Sequence, residues 1–133
     1  MSRSEYQEEE AEDLWALVRW RGAVKAATRG KRGQQLLRDM LAALDAMPVK
    51  ELIANNLVAD GKCCALGAYG LARRIDMSKV NAQNCDIVAE LFGVAPALVR
   101  EIANENDDNP WNYSETPAQR FMRMRAWVEG KII

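Results

Sequence analysis

The sequence contains no histidine, and that absence narrows the chemistry sharply. Ser-His-Asp and Cys-His nucleophilic catalysis are excluded, and so are the imidazole ligands that many protein metal sites use. Cysteine is scarce: Cys63, Cys64 and Cys85 are the only thiols. Adjacent cysteines rarely bridge one another, because the geometry is strained. Three thiols without histidine also fall short of the four nitrogen or sulfur ligands of a closed zinc site. Buried free thiols in a reducing compartment are therefore expected, with no cofactor and no metal. No apolar run approaches the ~20 residues of a membrane span. The opening MSRSEYQEEE is acidic and fits neither a signal peptide nor a transit peptide.

What is present is one domain's worth of chain, residues 1–133, with residues 1–7 expected to be a disordered or frayed terminus. Hydrophobic content is 49% and charged content 28%, both ordinary for a globular protein. The formal net charge of −1 supplies no global field toward nucleic acid or membrane. The distribution is more informative. Residues 1–18 carry six acids and one base, whereas residues 19–38 carry seven bases and no acid. Residues 101–115 carry five acids and no base, and residues 116–133 return to a net charge of +3. Such blocks argue for defined faces or tails.

The periodicity predicts an essentially all-α domain, a compact bundle of five or six helices with one small β-hairpin near 56–64. A first helix runs from Glu8 to about Ala27, with Leu14, Trp15, Leu17 and Val18 at mixed three- and four-residue spacing. Gly22 is a place where it can kink or stop. TRGKRG reads as a basic connector. QQLLRDMLAALDAM places Leu36, Leu37, Met40, Leu41, Leu44 and Met47 on one broad face and ends at Pro48. The Asp60-Gly61 pair is a hairpin signal. A helix follows from Ala65 to Arg74, in which Gly67 and Gly70 allow another element to approach closely. Thr116, Pro117 and Gln119 form a capping box that opens the last helix, which stops at Gly130.

DIVAELFGVAPALVREIANENDD has the spacing of a helix-turn-helix. From Cys85, the small residue at the helix crossing falls on Ala89 and the turn glycine on Gly93. The apolar positions of the second helix fall on Val99 and Ile102. These four are expected in the core. Chemistry argues against base reading by this corner. Arg100 is the only base near the start of the second helix, while Glu101, Glu105, Asp107 and Asp108 would face a polyanion. Asn104 and Asn106 could read adenine only if the helix approached by its far end. NENDDN lacks the glycine and distal glutamate of an EF-hand, so no calcium site is expected.

Two surfaces remain as candidates. One is an acidic loop carrying Glu101, Glu105, Asp107 and Asp108, with Trp111 and Tyr113 either tucked into the core or anchoring a partner. The other is the basic stretch RWRGAVKAATRGKR, carrying Arg19, Arg21, Lys25, Arg29, Lys31 and Arg32 with Trp20 interleaved. On a helix Arg21, Lys25 and Arg29 share one face, where phosphates or an acidic protein can dock. A solvated face partly paired with the acids of residues 8–13 is the plainer reading of the same stretch.

RWRGAVKAATRGKRGQQLLRDMLAALDAMP, DGKCCALGAYGLARRIDMS, VAELFGVAPALVREIANEND and ETPAQRFMRMRAWV together resemble small uncharacterised proteins of proteobacterial phages and prophages. The resemblance covers about Arg19 to Val128 and implies genomic context and a bacterial cytoplasm, with no activity to transfer. By analogy, proteins of this kind bind a host or phage protein, including as inhibitors of host defence. Two functions are therefore expected to compete. The first is a non-enzymatic protein-interaction module; the second is a nucleic-acid-binding protein or regulator that uses residues 19–32 on a helix-turn-helix scaffold, as a monomer or a homo-oligomer. An enzyme ranks third, because Ser, Cys and Lys lack a base at readable spacing.

Overall fold

The computed structural model describes residue 3 and residues 14–107 and 114–133. Within these residues the architecture is mostly helical, as the periodicity predicts. Six helices accompany one two-stranded ribbon: α1 (Leu14–Arg29), α2 (Lys31–Ala46), β1 (Val58–Ala59), β2 (Lys62–Cys63), α3 (Ala65–Ala72), α4 (Cys85–Phe92), α5 (Pro96–Asp107) and α6 (Pro117–Lys131). The expected start of α1 at Glu8 lies outside the described residues. From Leu14 the helix passes through Gly22 without a break.

The basic connector expected at TRGKRG is shorter than its two glycines suggest. Gly30 alone separates α1 from α2, and Lys31, Arg32 and Gly33 form the first turn of α2. The Gly30 N–H still donates to the Ala26 carbonyl at 2.9 Å, and its carbonyl accepts from Gln34 N at 2.9 Å, so the two helices share a single hinge residue. Gly33 is required by this crossing: a Cβ there would run into the Ala27 carbonyl and crowd Leu98.

α2 buries Leu36, Leu37, Met40 and Leu44 against α3 and α6. It ends at Ala46, just before the Met47-Pro48 pair, as the restriction on pre-proline residues requires. The ribbon pairs Val58 with Cys63 and Ala59 with Lys62. Asp60 and Gly61 turn at φ 53° and 76°, the left-handed pair that a two-residue hairpin demands. Gly67 of α3 lies against Leu57, and any side chain there would strike the Leu57 carbonyl. α3 ends two residues earlier than the Arg74 expected from the pattern, and Arg74 sits at φ 58° beyond its cap. α6 opens with the capping box of Thr116 and Gln119 and continues through Gly130 to Lys131. It contributes Phe121, Met124 and Val128 to the core.

α5 is the central helix. It packs on α4, α3, α1 and α6 together. No residue from Ala97 to Asp107 is exposed.

Candidate functional site

The helix-turn-helix corner is built by α4 and α5. Asn84 caps α4, its Oδ1 accepting from Ile87 N at 3.2 Å. Gly93 takes φ 72° and ends the helix, and Pro96 starts α5 three residues later. Ala89, Val99 and Ile102 are buried at the crossing, joined by Val88, Phe92 and Leu98; Gly93, expected in the core with them, is instead exposed at the turn, with open space where a side chain would stand. The geometry of the motif is therefore present. Its second helix nevertheless lacks a free face. α1 packs along it and leaves Glu101 and Asn104 half-buried in the floor of a groove between α1 and α6. Arg100, the one base available for reading, bonds Asp86 at 3.3 Å and stacks 5.6 Å over the Trp20 ring. A major groove needs an exposed helix side to admit, and α5 has none.

The acidic exit of α5 turns inward. Glu105 pairs with Arg123 at 3.3 Å, and burial raises its pKa above the usual carboxylate range despite that partner. Glu115 bonds Arg123 at 2.6 Å and faces Arg120 at 3.5 Å. The Asp107 side chain is only 1% exposed and is gripped by Arg3, by Asn55 N at 3.1 Å and by Asn106 Nδ2 at 2.8 Å. Asn106, weighed from the sequence as an adenine reader, is buried instead. It accepts from Ala65 N at 3.2 Å and donates to the Ile53 carbonyl at 2.9 Å. Burial works against the Arg3 charge, but Cys64 and Asp107 outweigh it and hold the guanidinium above its ordinary pKa. Of residues 1–7, expected to be a disordered or frayed terminus, only Arg3 is described, and it is buried. Asp108, Trp111 and Tyr113 lie outside the described residues. The described acids, Glu101, Glu105 and Asp107, serve the interior and the contact with α1 rather than an open loop. Composition concealed this, because the arginines that answer Asp107, Glu105 and Glu115 stand at positions 3, 123 and 120.

The basic stretch has the opposite fate. Arg21, Lys25 and Arg29 are exposed along one edge of α1, and Lys31 and Arg32 continue the positive surface at the start of α2. Among the described residues no ion pair engages these five. Arg19 is also exposed on α1. Toward the other end of the helix the surface becomes apolar: Leu14 is 76% exposed, Trp15 71% and Val18 54%.

Beside this edge runs a groove of about 690 Å³ between α1 and the end of α6, floored by Glu101 and Asn104 of α5. Leu17, Val24, Trp127 and Ile132 line it together with Arg21, Lys25 and Arg29, and Lys131 stands over Trp127 at 5.7 Å. Its walls are fixed by Gln34. That buried amide donates to the Thr28 carbonyl of α1 at 2.8 Å and to the Lys131 carbonyl of α6 at 2.9 Å. Its Oε1 accepts from Ile133 N at 2.9 Å. The sequence shows Gln34 only as one polar residue ahead of an apolar run, with no signal of this clamp.

The thiols are structural. Cys63, Cys64 and Cys85 are free and buried. Cys64 caps α3, its Sγ accepting from Gly67 N at 3.4 Å, and Cys85 Sγ donates to the Arg3 carbonyl at 3.4 Å. Burial pushes the Cys63 thiol up to about 11 and raises Cys85 as well. Among the described residues no group of three or more Cys, Asp or Glu is placed to hold a metal ion. No helix among them is long and apolar enough to cross a membrane. Comparison with protein-family models, with curated proteins and with solved structures yields no match.

Proposed function

We propose that this chain is a non-enzymatic interaction module that docks an acidic protein partner on the exposed edge of α1. The observation that carries the reading is the contrast between its two charged surfaces. Glu105, Asp107 and Glu115 each have an arginine partner within the fold. Arg21, Lys25 and Arg29 stand exposed beside a groove with apolar walls. Unneutralised charge of one sign steers association with the opposite sign, and adjoining apolar surface supplies the binding energy. Burial of all three thiols and the lack of histidine support a role without covalent catalysis. The partner is a host or phage protein in a bacterial cytoplasm, in keeping with the phage-type resemblance, and inhibition of a host defence protein is one form such docking takes.

The test uses three baits: the native chain, an Arg21→Glu/Lys25→Glu/Arg29→Glu variant, and a Lys62→Glu/Arg74→Glu control altered at exposed positions elsewhere. Each is exposed to bacterial lysate with and without nuclease treatment. A protein retained by the native chain and the control, and lost with the α1 variant, is expected. Equal retention by the α1 variant contradicts the reading. So does capture that disappears with nuclease, which would favour nucleic acid as the partner.

A further inference from the structure

The groove beside α1 has two chemistries on two sides, and that arrangement selects among anionic partners. With 3.6 residues per turn, Leu17 and Val24 lie on the side of α1 that faces into the groove, seven residues and roughly 10 Å apart along the axis. Trp127 and Ile132 face them from α6 and its end. Arg21, Lys25 and Arg29 follow the adjacent edge at four-residue spacing, roughly 6 Å per step. Lys131 stands on the opposite wall. The groove is therefore a trough with apolar walls and cationic rims over a polar floor of Glu101 and Asn104.

We infer that this groove binds an acidic amphipathic segment of a protein, with aliphatic side chains in the trough and carboxylates on Arg21, Lys25, Arg29 and Lys131. The inference rests on the docking function proposed above and specifies its ligand. Helical partners reach such grooves through apolar anchors at three-, four- and seven-residue intervals, and the roughly 10 Å from Leu17 to Val24 matches the axial span of a seven-residue interval. A single nucleic-acid strand is the poorer fit. Strand binding relies on open aromatic faces for stacking bases. Here one face of Trp20 carries Arg100, and Lys131 stands over Trp127. The trough is preformed, because Gln34 ties both of its walls to α2, and preorganisation lowers the entropic cost of binding.

The experiment is a fluorescence-anisotropy titration at low salt with three labelled probes of equal length. They are a Leu/Glu amphipathic peptide, a Glu/Ser peptide of the same charge, and oligothymidylate. The native chain is expected to bind the Leu/Glu peptide at least roughly ten-fold more tightly than either other probe. Arg21→Glu/Lys25→Glu/Arg29→Glu should weaken both peptides, and Leu17→Ser/Val24→Ser should weaken only the Leu/Glu peptide. Circular dichroism and thermal melting of each variant separate lost binding from lost folding. Equal affinity for the two peptides, or tightest binding of oligothymidylate, overturns the inference and leaves an anion-docking edge standing. Failure of all three probes to bind the folded native chain overturns the inference and removes the support for the docking function with it.

Discussion

Arg100 lies over the indole ring of Trp20, 5.6 Å from its centroid, while its guanidinium bonds Asp86 at 3.3 Å. This contact joins the corner formed by α4 and α5 to the helix that covers it. A cation stacked on tryptophan and paired with a carboxylate has already met the demands that a phosphate or guanine would otherwise satisfy. The corner is thereby a packing device. The positive charge available to a partner lies one layer out, on α1.

Gln34 should prove the most informative single residue for the groove. Gln34→Leu removes three hydrogen bonds and leaves the Thr28 and Lys131 carbonyls and the Ile133 N–H without their partner. Leaving such groups unsatisfied costs about 1–3 kcal/mol each where they stay buried. A loss of at least ~2 kcal/mol in urea denaturation is expected on that basis. Hydrogen exchange should quicken at both walls of the groove while the α4–α5 corner stays protected.

The glycines should divide into opposite classes. Gly22 sits in the middle of α1 with open space where a Cβ would stand. Gly22→Ala should therefore stabilise the chain by roughly 0.5–1 kcal/mol through helix propensity. Gly33→Ala brings its methyl into the Ala27 carbonyl at the α1–α2 crossing. That overpacking should cost about 1–3 kcal/mol or more. Thermal midpoints of the two variants, shifted in opposite directions from the native chain, check both.

How much of this was legible varies with the range of the interaction. The α4–α5 corner could be read from Ala89, Gly93, Val99 and Ile102, because crossing, turn and burial are set within twenty residues of chain. The ribbon turn at Asp60-Gly61 and the cap at Thr116 were readable for the same reason. The fate of the charged surfaces was not. Whether Asp107 faces a partner or the interior depends on Arg3, and Glu105 depends on Arg123 of another helix. Local pattern carries no information about such pairs. The face of α5 was concealed in the same way, since Arg100 reads as an available base until α1 is folded over it. TRGKRG misled through propensity: its two glycines suggest a loop, yet Gly33 serves the close crossing of two helices.

The thiols supply a pH test. Cys63 titrates near 11 in the fold against 9.0 ordinarily, because burial disfavours the thiolate, and Cys85 shifts the same way. Below the ordinary value both states hold the proton and the thiols leave stability unchanged with pH. As pH rises from 9 toward 11 the unfolded chain releases its thiol protons first, so stability should fall across that window. At pH 8 Ellman's reagent should find no fast-reacting thiol in the native chain and all three after denaturation. A rapid native reaction at Cys63 or Cys85 would contradict the burial assigned to them.

In the docking proposed for this chain, α1 and not the second helix of the corner meets the partner. Hydrogen–deuterium exchange of the chain with and without the Leu/Glu amphipathic peptide tests it most directly. New protection is expected at residues 17–29 and 127–133, with residues 86–96 unchanged. Protection centred on Gly93 to Arg100, with residues 17–29 unaffected, would contradict it.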